Sequence, residues 1–264
     1  MRRLLSWVAT PLRRTAERSA TAKMKDALAL SPVGQNGCAA CGATGDFDVR
    51  PVLSRDLSRQ WRLTAEQRVA INIQQGHSCR QCGNNVRGRA LAAALVRRLG
   101  ASGSLKSAAV QLGQVSVLEV NPAASLSPFL DQASRHVCTH YPAVDMEDLP
   151  FSDGEFDFVV HSDVLEHVTD PSAGLRECLR VAQYGWVVFT TPVLHDRTTR
   201  SRNGLGPSFH GGDSGPSRVA WEFGADFPDL LVAAGATTVE IDERLAPYAL
   251  VYSCHSRVQP GRDG

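Results

Sequence analysis

The stretch Val115-Ser-Val-Leu-Glu-Val-Asn-Pro-Ala-Ala-Ser125 decides how this chain is read. Its first half is a short apolar, β-branched run carrying one acid, Glu119. Its second half is a turn leading into Leu126-Ser-Pro-Phe-Leu130, a helix candidate over 126–135 with a Ser N-cap and Pro128 at the first helical position. Such a helix start would offer free backbone N–H groups to a carboxylate or phosphate. Two further runs of the same kind follow, Phe156-Asp-Phe-Val-Val-His161 and Trp186-Val-Val-Phe-Thr-Thr191, with helical candidates over 171–181 and 220–234. Strands buried on both faces and separated by helices indicate a parallel sheet. The last two runs, 237–241 and 249–254, are joined by a short connection, as an antiparallel edge pair would be. The expectation is an α/β chain with a doubly wound sheet, whose ligands bind at the carboxyl ends of the strands near the switch point.

At 264 residues the chain has room for one such domain and a smaller module. The formal net charge of +1 hides an asymmetry: residues 1–105 carry 17 Lys and Arg against 6 Asp and Glu, and the remainder 11 against 21. A basic half serves nucleic acid or anionic lipid, or docks on its own acidic neighbour. No apolar run approaches the roughly 18–20 residues of a membrane-spanning helix. The N-terminus opens like a signal peptide, but Leu4-Leu-Ser-Trp-Val-Ala9 is short, and Pro11 and Arg13-Arg14 follow at once. A cytoplasmic protein is expected; peripheral membrane contact through Leu4, Leu5, Trp7 and Val8 is the alternative.

Four of the seven cysteines form two pairs, Cys38-Ala-Ala-Cys41 and Cys79-Arg-Gln-Cys82, each followed by glycine, Gly42 and Gly83. Two residues between ligands let both sulfurs of one turn face the same ion, so a tetrahedral structural zinc site on Cys38, Cys41, Cys79 and Cys82 is expected. Two redox pairs and four unrelated thiols remain as alternatives. Cys138, Cys178 and Cys254 read as buried thiols. Residues 50–76, between the pairs, supply apolar residues for a strand and a helix. After the second pair, residues 84–100 read as a helix with an apolar stripe of Val86, Ala90, Leu91, Ala94, Leu95 and Leu99, closed by Gly100. The division is a basic leader over 1–30, disordered or helical, a zinc-binding module with connecting helix over 31–104, and a sheet domain over 105–264, with Ala101–Ser104 as linker.

Each strand of the second half ends in polar residues: Glu119 and Asn121, then Asp145-Met-Glu-Asp-Leu-Pro-Phe151, then His161-Ser-Asp-Val-Leu-Glu-His167, then Thr190-Thr-Pro192. Taken with VLEV at 117 and WVVFTTP at 186, the block DMEDLPFSDGEFDFVVHSDVLEHVTDP at 145 resembles the class I S-adenosylmethionine-dependent methyltransferases, of the methyltransferase type 11 kind, over roughly residues 105–254. The resemblance implies a seven-stranded, mostly parallel, Rossmann-like sheet. The paired cysteines, with Phe209–Asp213 and Trp221–Asp226, look like a subgroup carrying an N-terminal zinc-ribbon-like module. It implies that Glu119 serves the methionine amino group directly or through water, that Asp145 accepts from the adenine amino group with Met146 against the ring, and that His161, Ser162 and Asp163 lie beside the reactive methyl. His167 falls on a helix, where packing under the sheet is preferred to catalysis.

The family's first turn carries three glycines where this chain has Asn121, Ala123 and Ser125. Asn tolerates positive φ, and Ala and Ser are small, but a Cβ at each position narrows the cofactor's space. The acid that usually closes the second strand is replaced by His136-Val-Cys-Thr-His-Tyr141, where Thr139 or Tyr141 would offer a hydroxyl. The insertion over 193–218 suits a lid or acceptor loop, with His195, Arg197, Arg200 and His210 as its candidate base or anion clamp; His210 and His161 are the candidates for proton removal. The expected activity is methyl transfer to a small molecule such as a sugar or sugar-nucleotide. An RNA methyltransferase gripping phosphate with the basic module, Trp61 being its most evident aromatic, and a non-catalytic protein with a degenerate pocket are the competing readings.

Overall fold

The computed structural model describes residues 6–35, 37–212 and 215–256, and the side chains of 18–34, 37–209 and 217–256. The N-terminal half runs α1 (Ser6–Ala29), the single turn α2 (Pro32–Gln35), β1 (Phe47–Val49), α3 (Arg55–Gln60), α4 (Ala65–Gly76), β2 (His77–Cys79) and α5 (Val86–Arg98). The other half runs α6 (Ala109–Leu112), β3 (Ser116–Val120), α7 (Ser127–Leu130), β4 (Arg135–Thr139), β5 (Phe158–Ser162), α8 (Pro171–Val181) and β6 (Trp186–Thr190), then β7 (Val193–Leu194), β8 (Arg200–Ser201), β9 (Phe209–Gly212), β10 (Gly215–Arg218), β11 (Trp221–Gly224), α9 (Phe227–Ala233), β12 (Thr238–Leu245) and β13 (Ala249–His255).

The central sheet has the order β12-β13-β6-β5-β3-β4, with β4, β3, β5 and β6 parallel and β13 and β12 antiparallel at one edge. It is doubly wound. Val117, Phe158, Val160, Val188 and Val251 face α5, whose Val86, Ala90, Leu91, Ala94 and Leu95 are all buried. On the other face Leu118, Val159, Val187, Phe189 and Tyr252 pack against Leu175 and Leu179 of α8 and Phe227 and Leu231 of α9. α5 is bounded as its sequence suggests: Asn85 caps it by accepting from the Gly88 N–H at 3.2 Å, and Gly100 beyond its end has φ +64°.

Several expectations need correction. Among the described residues the sheet has six strands, not seven. The missing one would come from 140–157, which holds Pro142 and Pro150 and folds as turns around a lone bridge between Asp145 and Asp148. The helix over 126–135 shrinks to the one turn of α7, because the chain must return at Arg135 to pair with Ser116. Its N-cap is Leu126, with no side-chain cap, so it is no built anion site. The helix over 220–234 begins only at Phe227; Trp221–Gly224 pairs instead with β7 and β8. Residues 50–76 hold two helices, capped by Ser54 and Thr64, the latter in a reciprocal box with Gln67.

The basic leader is helical from Ser6, and Met24 and Leu28 of α1 are buried in the core. Leu4 and Leu5, and the side chains of Trp7 and Val8, lie outside the described residues. Among the described residues no helix is long and apolar enough to cross a membrane. Part of the basic half is spent on its acidic neighbour: Arg97 pairs with Asp242, Arg98 with Glu240, and Arg87 with Asp163.

Candidate functional site

The two cysteine turns are near copies of each other. Cys38 N–H donates to Ala43 O (2.8 Å) and Gly42 N–H to Cys38 O (2.7 Å); Cys79 N–H donates to Asn84 O (2.9 Å) and Gly83 N–H to Cys79 O (2.8 Å). Gly42 and Gly83 sit at φ +86° and +75°, a region open to glycine at no steric cost. All four sulfurs lie within 4.8 Å of one another, with Cys38 Sγ 3.6 Å from Cys82 Sγ and Cys41 Sγ 3.7 Å from Cys79 Sγ. A tetrahedral zinc with Zn–S of 2.3 Å asks for sulfurs about 3.8 Å apart, so the donor set fits that ion.

A second observation agrees with a charged centre. Arg89 is buried; it bonds His77 Nδ1 (3.0 Å) and Val33 O (2.9 Å) and lies over the Phe47 ring at 4.4 Å. Among the described residues no carboxylate pairs with it. Burial lowers its pKa, and the opposing pull comes from Cys38, Cys79 and Cys82. A buried guanidinium is stabilised by an anion nearby, and Cys38, Cys79 and Cys82 are the groups whose ionised form would supply it.

At the carboxyl end of β3, Glu119 is fully buried. Its Oε1 accepts from Ala123 N–H (2.7 Å) and Ser127 Oγ (3.0 Å), and its Oε2 meets His136 Nε2 at 3.0 Å, while His136 Nδ1 reaches Asp131 at 2.7 Å. Both carboxylate oxygens are therefore engaged, and Glu119 holds the turn instead of reaching out of it. Asn121 and Ala124 are left-handed at φ +55° and +56°, a conformation that costs a residue with a Cβ about 1–2 kcal/mol. Asn121 Oδ1 accepts from Tyr141 N–H at 2.9 Å, which ties the turn to the end of β4. Thr139 is buried and its hydroxyl donates to Glu119 O at 3.3 Å, so it is not presented to a ribose; Tyr141 is exposed. Asp145 Oδ1 accepts from Glu147 N–H at 2.9 Å. Met146 is buried against Gly174 of α8, in the core, so it is not placed to stack on a ring.

At the end of β5, Ser162 and Thr190 share a hydrogen bond of 2.9 Å. Asp163 is left-handed at φ +54° and pairs with Arg87 of α5. Asp163 Oδ1 and Arg87 Nε remain buried with no hydrogen-bond partner, and Arg87 Nη2 donates to Gln75 Oε1 at 2.9 Å. His161 is wholly buried, stacked on Phe189 at 4.4 Å, with both ring nitrogens unpartnered and burial pulling its pKa down to about 3. A neutral imidazole shut away from solvent is not placed to take a proton from an acceptor, which corrects the expectation for His161. His167 lies in a turn, not on a helix, and its Nδ1 meets Arg218 O at 2.8 Å. Its neighbour Glu166 is buried, accepts from the Thr191 hydroxyl at 3.3 Å, and has its pKa raised by burial.

The insertion is fastened to the N-terminal half. Trp61 Nε1 donates to Ser208 Oγ (2.8 Å), Gln60 to Pro207 O (2.6 Å) and Arg197 to Trp61 O (3.2 Å). The buried Glu222 carboxylate is ringed by Arg197, Arg200 and Arg202, and Arg202 lies 5.2 Å from the centre of the Trp61 ring. Of the two histidines proposed here, His195 is exposed; the side chain of His210 lies outside the described residues. Asn84 and Arg87 carry no motif signal in sequence, and His136, Glu166 and Glu222 lie within motif stretches that do not single them out. Only their contacts mark them.

The parallel part of the sheet, β3 to β6, coincides with the one part of the chain that matches a known family. Residues 99–189 match the family model described as Methyltransferase domain. That segment is similar to a methyltransferase domain. The N-terminal cysteine set is compatible with a zinc module. Compared by sequence with curated proteins, the chain has no match. Solved structures similar to it include an S-adenosylmethionine dependent methyltransferase from Mesorhizobium loti (13% identity, 54% of this chain and 91% of that one, TM-score 0.34). The CurJ carbon methyltransferase is 15% identical over 58% of this chain and 53% of that one (TM-score 0.40). The N-terminal domain of EvdMO1, solved in the presence of SAH and D-fucose, is 16% identical over 60% and 86% (TM-score 0.39).

Proposed function

We propose that the chain is an active S-adenosylmethionine-dependent methyltransferase of the cytoplasm, with a small-molecule acceptor such as a sugar or sugar-nucleotide and a structural zinc on Cys38, Cys41, Cys79 and Cys82. The observation that carries the cofactor reading is the pair of orphaned buried groups beside the β3 turn, the Arg87 Nε donor and the Asp163 Oδ1 acceptor. A buried donor and a buried acceptor on one ion pair suit a ligand that is itself a zwitterion, its carboxylate toward Arg87 and its ammonium toward Asp163. When bound, S-adenosylmethionine supplies an electrophilic methyl on a sulfonium. The chain's own work is to hold the cofactor, orient the acceptor and remove its proton. Glu119 keeps the first turn in shape through the Ala123 N–H, Asp145 serves the adenine amino group, and His210 on the insertion is the remaining candidate base.

A small acceptor is favoured over RNA by where the basic groups go. Arg87, Arg97 and Arg98 are paired within the chain, and Trp61 is held by Ser208 and Arg202, so these groups are not kept for a nucleic acid. S-adenosylhomocysteine at a hundred times its Kd should stabilise the protein by about 2.7 kcal/mol, read as a rise in Tm, and Asp145→Ala should lose most of that rise. No rise at millimolar ligand would instead identify a degenerate pocket. RNA affinity that falls steeply with added salt would restore the RNA reading.

A further inference from the structure

The strand-end turns of the sheet are left-handed without glycine. Of the four such residues among the described ones, Arg62, Asn121, Ala124 and Asp163, three lie at the ends of β3 and β5. Backbone of this kind persists only where its surroundings over-determine it. Here the surroundings are the segment that leaves the second cysteine turn. Asn84 is fully buried two residues after Cys82. Its Nδ2 donates to Ser125 O at 2.9 Å, and its Oδ1 accepts from Ser125 N–H at 3.2 Å, so one side-chain amide clamps both backbone groups of the residue after Ala124. The same Nδ2 lies 3.5 Å from Cys82 Sγ, and the Asn84 carbonyl accepts from Cys79 N–H at 2.9 Å. One turn further along, Gly88 leaves the room this needs: a Cβ there would fall 2.2 Å from Asn84 Oδ1 and 2.9 Å from Ala124 Cβ. Arg87, between them, holds Asp163.

We infer that Asn84 is a positioning residue for the cofactor. It fastens the cysteine knuckle to the β3 turn, and it replaces by a tertiary clamp the conformation that glycine would supply locally. Metal centre and cofactor turn are then one mechanical unit, and the metal has a bearing on cofactor affinity although it touches no cofactor. This rests on the reading of the Asn121–Ser125 turn as the cofactor turn.

The test is titration calorimetry of S-adenosylhomocysteine into the full-length, zinc-loaded protein. Wild type binds, Asn84→Ala binds about tenfold more weakly while keeping its zinc, and Asn84→Asp, which retains the acceptor for Ser125 N–H but not the donor, falls between them. Unchanged affinity in Asn84→Ala overturns the inference, even if the variant melts earlier; wild type that binds nothing overturns the cofactor reading itself. Should Asn84→Ala not fold, Gly88→Ala decides, since it keeps Asn84 but pushes its amide off Ser125: equal affinity to wild type again overturns the role. Coupling is reciprocal, so saturating S-adenosylhomocysteine slows zinc transfer to a chelator in wild type and not in Asn84→Ala; equal slowing in both removes Asn84 from the link.

Discussion

Two regions of this chain solve the same backbone problem in different ways. The cysteine turns need left-handed residues at 42 and 83, and both are glycine. The ends of β3 and β5 need them at 121, 124 and 163, and there the residues are Asn, Ala and Asp. In the first region the conformation is written locally. In the second it is imposed by distant groups: Asn84 on Ser125, Arg87 on Asp163, and the Asn121 amide on Tyr141. The two regions also differ in how they treat buried charge. A buried cation, Arg89, lies by the cysteine set, while the sheet end holds His161 neutral with both ring nitrogens unpartnered. A local turn survives the loss of its neighbours; an imposed one depends on them. The strand-end turns of the sheet are therefore the dependent partner.

The largest expected effect comes from breaking the independent region. Cys79→Ser removes one of four sulfur ligands, and zinc per chain, measured by elemental analysis, should fall from about one to well below it. Loss of several kcal/mol at about 2–4 °C each should lower Tm by on the order of 10 °C. If the imposed turns depend on this region as described, cofactor binding goes with it. A fully folded Cys79→Ser protein that still binds S-adenosylhomocysteine would separate the two regions.

The charge contrast gives a pH test of intermediate size. His161 titrates near 3 in the folded chain, because burial opposes its charged form, against about 6.5 when unfolded. Its folded pKa is depressed, so the unfolded chain takes up the proton first, and stability falls as pH drops from about 6.5 toward 3, by about 1.4 kcal/mol per pH unit where the difference is fully expressed. His161→Phe, which keeps a ring against Phe189, should be as stable as wild type or more so at pH 8 and should lose less stability between pH 6 and 4.5 in urea titrations. Thiolate protonation acts on both proteins alike, so the difference between the two curves isolates His161. Parallel curves would mean that its nitrogens find partners in solution.

What the sequence revealed follows the same division. The cysteine spacing, the glycines after each pair, the stripe of α5 and the apolar runs of β3, β5 and β6 are short-range signals, and each became the element it indicated, with the antiparallel β12–β13 edge. The failures lie where distant pairing decides. Residues 126–135 favour a helix, but pairing of Arg135 with Ser116 ends it after one turn. Residues 220–226 are drawn into strand by β7 and β8. Glu119 is legible in the sequence, yet its engagement by His136 and Ser127 is not, because nothing in the spacing of 119, 127 and 136 announces it. Met146 and His161 stand at positions that matched a motif, and their side chains turn into the core. A motif fixes a place along the strand; which face a side chain takes there is settled by packing.

The smallest effect is also the sharpest, because the two regions should respond with opposite signs. Gly42→Ala puts a Cβ on a residue at φ +86°, and it should cost about 1–2 kcal/mol, measured by urea unfolding of the zinc-loaded protein. Ala124→Gly removes a Cβ at φ +56° and relieves a strain of the same size, less the roughly 0.5–1 kcal/mol of chain entropy that glycine loses on folding, so it should stabilise by about 0.5–1 kcal/mol. The gain should survive in the Asn84→Ala background and be larger there, since a turn released from its clamp has more need of a residue that adopts the left-handed region unaided. If Ala124→Gly is destabilising in both backgrounds, the turn is held by packing of the Ala124 methyl itself and the backbone strain assigned to it is not there.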